Sequence, residues 1–292
     1  MVKKFTTAQT IFTGWGALQE SGTAVSELGE KPLVVTSAGT WKRMGTQLNE
    51  LLSKCFSAYA VCDCINTEPT DTMIAEGLEV YQKNGCDCLI GIGGGSPLDA
   101  IHAIEAYTSK QAQPLTDALA ISAAKCVFRY LPLAYQDGKN REAREEMAAA
   151  ALEAGICINN SSVTIVHGMS RPIGALFHVP HGLSNAMLLE KCLQFALPGC
   201  YERFGLLGRA IGAASADSTD SEAADALLQA VKLLCYTCEV PTLEQYGIAK
   251  TTFFNAVEKM AADAIASGSP GNTRREVTAE DCAAIYYSLW EN

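Results

Sequence analysis

A glycine-rich turn is the part of the sequence whose residue types point most directly to binding chemistry. Gly93, Gly94, Gly95 and Ser96 follow a β-rich run and precede a helical segment. In that arrangement, backbone N–H groups and the positive end of a helix dipole face an anion, and glycine lets a phosphate approach closely because it has no Cβ. Ser96 can cap the helix and also donate to a phosphate oxygen. The turn therefore predicts a pyrophosphate site, with a ligand-free strand-to-helix turn as the alternative.

Twelve cysteines form the second group of residues with potential chemistry. They are spread along a chain of 292 residues, which is typical of reduced thiols and not of the disulfide framework of a short secreted domain. Cys235 and Cys238 form a single CxxC pair in a helical stretch. Because a structural zinc site needs four ligands and no second pair lies nearby, this pattern does not favour zinc.

The order of strand-like and helical segments predicts what positions the glycine turn. Between residues 31 and 96, three β-rich runs (31–37, 57–64 and 88–92) alternate with two helical stretches (44–52 and 71–83). This alternation is typical of parallel βαβ units and opens a doubly wound sheet. After Pro97 the spacing is helical to the carboxyl terminus, and we expect the helices to break at prolines such as Pro132 and Pro172. The predicted domains are an α/β part, residues 1–100, and an all-α part, residues 101–292.

The composition favours a globular protein that binds a small molecule. The formal charge is −10, and a chain without a Lys/Arg stripe is not expected to bind nucleic acid. Hydrophobic residues make up 48% of the sequence and charged residues 18%, but no apolar run is long enough to span a membrane. The first residues do not resemble a secretion signal, because no apolar run follows their two lysines. We therefore expect a cytoplasmic protein with no membrane partner.

Several motifs in order along the chain resemble those of the iron-containing alcohol dehydrogenase family. The run GIGGGSPLDA at residues 91–100 is similar to the family's GGGSxxD signature, and EPT at residues 68–70 matches a turn upstream of it. Downstream, AIEAY at residues 103–107 resembles the end of the family's THAIEAY helix. HGMSRPIGA at residues 167–175, followed by HVPHG at residues 178–182, resembles the segment that supplies two metal-binding histidines. The resemblance implies a dehydroquinate synthase-like architecture and an alcohol dehydrogenase activity.

The resemblance also implies a metal centre for Fe(II) or Zn(II). The implied ligands are Asp99, His102, His167 and His181. In the family the first two stand four residues apart, whereas here they stand three apart; both offsets place side chains on one helix face. For each histidine the alternative is an ordinary core or surface imidazole. We interpret His178 as structural.

One residue in the histidine segment departs from the family pattern. Arg171 stands where many family members have another histidine near the nicotinamide. It therefore replaces a residue of the usual proton relay. The alternative interpretation is that Arg171 pairs with a carboxylate at a helix end.

For the cofactor, the resemblance implies NAD or NADP on the glycine turn. The implied contacts come from Ser37, Gly93, Gly94, Gly95 and Ser96. Ser37 stands where the family often has an aspartate that holds the adenosine ribose hydroxyls. A short neutral side chain neither binds that diol tightly nor repels a 2′-phosphate, so we predict that NADP is accepted about as well as NAD.

The chain also lacks a segment that the family uses. On the order of 90 residues separate the GGGSxxD motif from the THAIEAY helix in the family, whereas residues 99–102 serve both motifs here. We therefore expect a truncated nucleotide-binding sheet. One hypothesis is a metal-dependent, NAD(P)-linked enzyme that interconverts a small alcohol and its aldehyde or ketone. Such an enzyme could form a homodimer. The alternatives are a catalytically impaired remnant that binds metal or a partner subunit without hydride transfer, and an incorrectly assembled or altered sequence whose natural form retains the segment.

Overall fold

The computed structural model of this chain describes residues 3–65, 70–93 and 98–291. It divides into two compact units. One unit is Gln9–Gly95, and the other combines Met1–Ala8 with Ser96–Asn292. Residues 1–8, predicted to lie in the first domain, belong to the helical unit: the backbone N–H of Thr6 donates to Asn160 Oδ1 at 2.6 Å.

The first unit is built on a three-stranded parallel sheet. Its strands are β1 (Pro32–Val35), β2 (Ala60–Cys62) and β3 (Cys88–Gly91), in the order β2-β1-β3. In the register of the central strand, Leu33 lies opposite Ala60 on one side and Leu89 on the other. The predicted parallel sheet is confirmed, and within the described residues it contains three strands.

Helices cover both faces of this sheet because successive residues of β1 point to opposite sides. Val34 packs with Leu48 and Leu52 of α3 (Ala38–Cys55). Leu33 packs on the other face, in a cluster that includes side chains of α4 (Asp71–Asn84). Two short helices, α1 (Ala17–Glu20) and α2 (Gly22–Ser26), precede β1.

The second unit is helical, as predicted. Its helices are α5 (Leu98–Thr108), α6 (Pro114–Gln136), α7 (Arg141–Ser161), α8 (Ile165–Phe177), α9 (His181–Ala196), α10 (Tyr201–Ala210), α11 (Asp220–Thr237), α12 (Lys250–Ala266) and α13 (Ala279–Ser288). Two 3-10 turns, Leu197–Gly199 and Ser269–Asn272, join some of them. Among the described residues of this unit, β-type pairing is limited to the isolated bridge between Ser109 and Thr273.

Two of the predicted helix breaks are wrong. Pro132 lies inside α6 and Pro172 inside α8. A proline in a helix interior loses one backbone hydrogen bond and costs about 3 kcal/mol, but α8 is buried along most of its length. Packing of this apolar helix offsets the cost, so the helix continues through the proline.

No single helix within residues 3–65, 70–93 and 98–291 is both long and apolar enough to cross a membrane. The pair α7 and α8 reaches that length and apolarity together, but the two helices are bent by 101° at their junction.

Candidate metal centre

Helix α5 supplies two of the polar side chains at the candidate site. His102 and Glu105 stand three residues apart, which places them on one face of the helix. Their neighbours Ile101, Ala103 and Ile104 are at most 1% exposed. The apolar packing of α5 therefore holds an imidazole and a carboxylate in the interior of the helical unit.

The other two histidines stand at the starts of α8 and α9. His167 is the third residue of α8, after a sharp turn in which Ser162 adopts a left-handed conformation with φ 64°. Helix α8 ends at His178, also left-handed with φ 55°, and Pro180 then leads into His181, the first residue of α9. The chain reversal between α8 and α9 brings His181 back beside His167.

The three imidazoles lie together in the fold. His102 Nε2 and His167 Nε2 are 3.1 Å apart, and these two rings stack with centroids 4.9 Å apart and an interplanar angle of 22°. The ring of His181 meets that of His167 edge to face, with centroids 5.3 Å apart. His167 is buried, at 3% exposed, and His102 and His181 are partly buried.

Glu105 is a buried carboxylate in contact with this group. The sequence motifs did not identify it as a residue of the site. It is 0% exposed, and it contacts His167 Nδ1 through Oε2. Oε1 accepts from Thr164 Oγ1 at 2.5 Å and from the Val166 backbone N–H at 2.8 Å. Burial strongly favours the neutral acid, but the charge and hydrogen bond of His167 and the donors on Thr164 outweigh it and hold the pKa of Glu105 below its usual value.

The donor set fits a divalent metal. Burial, together with the nearby His167 and His181, lowers the pKa of His102 to about 4, against the opposing effect of Glu105. His102 is therefore neutral at pH 7 and keeps a lone pair for coordination. Two histidine nitrogens on one tetrahedral metal are roughly 3.4 Å apart, which is close to the observed 3.1 Å between the Nε2 atoms of His102 and His167. The alternative for this pair is a direct hydrogen bond between the two rings.

Together with His181, the other two histidines do not form a complete set of metal ligands in this geometry. Across the described part of the chain, no group of three His, Cys, Asp or Glu side chains is arranged to hold a metal ion. The amide of Asn185 lies 3.4 Å from His181 Nδ1 and 3.2 Å from His181 Nε2. The side chain of Asp99, the fourth predicted ligand, lies outside the described residues.

The predicted cofactor contacts belong to the first unit or to the turn after it. Ser37 directly follows the β1 region and caps α3: its Oγ accepts from Thr40 N at 3.1 Å and donates to Thr40 Oγ1 at 3.0 Å. A Cβ added to Gly93 would meet no atom of the described residues within 4 Å. Gly94, Gly95 and Ser96 lie outside the described residues.

Three other predictions concern residues around the histidines or cysteines. Arg171 Nη1 donates to Ser269 Oγ at 3.0 Å, and the pairing of Arg171 with a carboxylate stays a prediction. His178 ends α8 in the left-handed conformation, which gives it a structural position. Burial raises the pKa of Cys235 to about 11, so in the metal-free protein its thiol is protonated at neutral pH.

Comparison with known proteins identifies related sequences over most of the chain. Residues 95–290 match the C-terminal model of the Fe-containing alcohol dehydrogenase family, and residues 8–135 match the iron-containing alcohol dehydrogenase model. The NADPH-dependent butanol dehydrogenase of Clostridium saccharobutylicum is 34% identical over 195 residues, which cover 66% of this chain and 49% of that protein. A 1-propanol dehydrogenase of Salmonella typhimurium is 38% identical over 144 residues, or 49% of this chain and 39% of the relative. The matched regions thus span about half or less of these two relatives.

A longer alignment and two solved structures extend the comparison. Lactaldehyde reductase of Escherichia coli is 24% identical over 388 aligned positions, which include 99% of this chain and 100% of the relative. Because this chain has 292 residues, a long stretch of that relative has no counterpart here. A 1,3-propanediol oxidoreductase structure has a TM-score of 0.90 at 23% identity, covering 99% of this chain and 100% of the other. An alcohol dehydrogenase from Oenococcus oeni has a TM-score of 0.90 at 21% identity, with the same coverage, and both structures share the fold.

Proposed function

Because this chain belongs to the iron-containing alcohol dehydrogenase family, we propose that it is a metal-dependent, NAD(P)-linked dehydrogenase of small alcohols. It interconverts such an alcohol with its aldehyde or ketone. The observation that supports this proposal most strongly is the convergence of His102, His167 and His181 from three helices on one buried site. Three imidazoles so close together are unusual as mere packing in a chain with only four histidines.

In this proposal the three histidines hold Fe(II) or Zn(II), with Asp99 as a fourth ligand. Such a metal, when bound, polarises the alcohol oxygen and lowers its pKa. His102 contributes a neutral ring because burial keeps its pKa near 4, and Glu105 holds His167 through Nδ1. The apolar neighbours of α5 exclude water from this side of the site.

The cofactor part of the proposal assigns NAD or NADP to Ser37 and the glycine turn at residues 93–96. Its support is the position of Ser37 directly after β1, where the ribose-binding residue stands in nucleotide-binding folds. The open space around Gly93 agrees with close approach of a ligand. We further propose that residues 1–100 and 101–292 act as the cofactor and metal domains, and that the protein forms a homodimer.

A second candidate function is favoured by the size of the sheet. Only three strands occur within the described residues, whereas a complete dinucleotide fold is built from two βαβαβ halves. A protein with half of that fold could retain the metal site, which lies in the helical unit, and lose hydride transfer. This second candidate is a metal-binding remnant that interacts with a partner subunit.

Anaerobic purification of the full chain, loading with Fe(II) or Zn(II), and assay of NADH and NADPH oxidation with propanal and butanal separate these functions. The dehydrogenase proposal expects stoichiometric metal and turnover, both lost in His167→Ala. Bound metal without turnover would favour the remnant. A parent protein that takes up neither metal would contradict both.

A further inference from the structure

Glu105 is a carboxylate in direct contact with the three-histidine group. Charged residues are almost never fully buried unless they are paired, and this one is 0% exposed. Its surroundings supply three donors, from Thr164, Val166 and His167. Because all three contacts of Glu105 hold its buried charge in one place, we expect Glu105 to position its histidine partner.

The two oxygens of Glu105 have different partners. Oε1 accepts from the Thr164 hydroxyl and from the Val166 N–H, at 2.5 and 2.8 Å. Thr164 is the residue before α8 and makes no side-chain cap to its own helix. A carboxylate from α5 therefore takes the place of a cap at the start of α8, where the helix dipole also favours a negative charge.

Oε2 faces His167 Nδ1. An ionised carboxylate only accepts hydrogen bonds, so a singly protonated His167 carries its proton on Nδ1. Its Nε2 is then an unprotonated nitrogen, and this is the atom that lies 3.1 Å from His102 Nε2. The tautomer of His167 follows from the position of Glu105.

We propose that Glu105 is a positioning residue, which fixes His167 as the Nδ1-protonated tautomer and thereby presents Nε2 to a metal ion. The inference deepens the proposed function and rests on its metal site. Because Oε1 is held by two donors on the edge of α8, the carboxylate also fixes the direction from which His167 Nε2 is presented. Outer partners of this kind orient a ligand without touching the metal.

The isosteric change Glu105→Gln separates this role from simple filling of the core. With Thr164 and Val166 still donating, the amide oxygen of Gln takes the place of Oε1 and the NH₂ group takes that of Oε2. The NH₂ group then donates to His167 Nδ1, which forces the ring proton to Nε2. His167 would donate that proton to His102, so the substitution converts a pair of metal ligands into a hydrogen-bonded pair.

The first test reads the tautomer directly in the metal-free full chain. The chain has only four histidines, so ¹⁵N-histidine NMR at about pH 8, above the ordinary histidine pKa, resolves each ring after assignment with single His→Asn variants. The proposal expects His167 protonated at Nδ1 in the parent and at Nε2 in Glu105→Gln. A parent protein with His167 protonated at Nε2 overturns it, and this outcome does not depend on the folding of Glu105→Gln.

The second test measures Co(II) affinity by the visible absorption of the bound ion. Glu105→Gln should weaken Co(II) binding by about 10- to 100-fold. The matched control is Glu153→Gln, the same change on α7, where the carboxylate accepts from Ser122 Oγ at 3.1 Å; it should retain the parent tautomer and bind Co(II) nearly as well. Equal affinity in the parent and Glu105→Gln overturns the proposal. If the parent binds no Co(II) while the tautomer changes as expected, the metal site fails and the positioning role stands.

Discussion

Replacement of Gly168 by alanine tests how tightly the histidine-bearing end of α8 is packed. Gly168 directly follows His167 and is buried. A Cβ at this position would lie 2.6 Å from both Cδ and Cγ of Pro270, far inside van der Waals contact. The proline ring is rigid and belongs to the 3-10 turn Ser269–Asn272, so α8 must move away from it.

Overpacking of this kind costs about 1–3 kcal/mol. For a unit of this size each kcal/mol lowers Tm by about 2–4 °C, so Gly168→Ala should lower Tm by roughly 2–12 °C. The assay is thermal unfolding of the metal-free protein followed by circular dichroism. His167 moves with the helix, so metal affinity should fall as well.

Two further variants make the result specific. Gly155→Ala in α7 is the matched control, because a Cβ there would meet no atom within 4 Å; Ala in a helix interior should raise stability by about 0.5–1 kcal/mol. Pro270→Ala removes the two clashing ring atoms, so the double variant should recover part of the loss of Gly168→Ala. The packing argument is refuted if Gly168→Ala unfolds at the parent temperature, or if Pro270→Ala gives no recovery.

Two more predictions concern the α/β unit. Ser37→Asp keeps a good helix cap and adds a carboxylate that repels a 2′-phosphate, so the ratio of NADP to NAD affinity should fall roughly tenfold or more in cofactor titrations; an unchanged ratio would exclude Ser37 from the cofactor site. The backbone N–H groups of Glu30 and Lys31 donate to Asp87 at 2.7 and 2.9 Å and lower its pKa. A lowered carboxylate pKa stabilises the fold above the unfolded-state value and loses this effect as the pH falls through the folded-state value. Asp87→Asn should therefore be less stable than the parent at pH 7 and lose less stability on acidification below about pH 4; parallel stability curves would argue against this role.

The strands and helices of the α/β unit are predictable from local sequence patterns. The alternation of β-rich and helical runs predicts β1 to β3 with α3 and α4 between them, because each short strand is a compact apolar or β-branched run set between longer helical stretches. The helix breaks predicted at Pro132 and Pro172 are wrong, because the free-energy cost of a proline inside a helix is offset by tertiary packing, which a local sequence pattern does not show. Tertiary context overrides intrinsic propensity in both helices.

The site was predictable only in part. The matched motifs identify His102, His167 and His181, and the structure brings these three together. One signal for Glu105 is present in the sequence: a carboxylate three residues after His102, within a run that also contains Ile101, Ala103 and Ile104. Its partners were not predictable, because Thr164 and His167 lie about sixty positions away in sequence, and only the packing of α5 against the start of α8 joins them.

The central claim is that the three histidines of the helical unit form one metal site. Its most direct test is the metal content of the full chain after incubation with Fe(II), Zn(II) or Co(II) and removal of free metal. The parent should bind one ion per chain, and His102→Ala, His167→Ala and His181→Ala should each lose most of it, because each removes a ligand. His178→Asn, which keeps a residue suited to the left-handed end of α8, should bind as the parent does. Equal metal content in the parent and the three alanine variants, or none in any of them, would contradict the account.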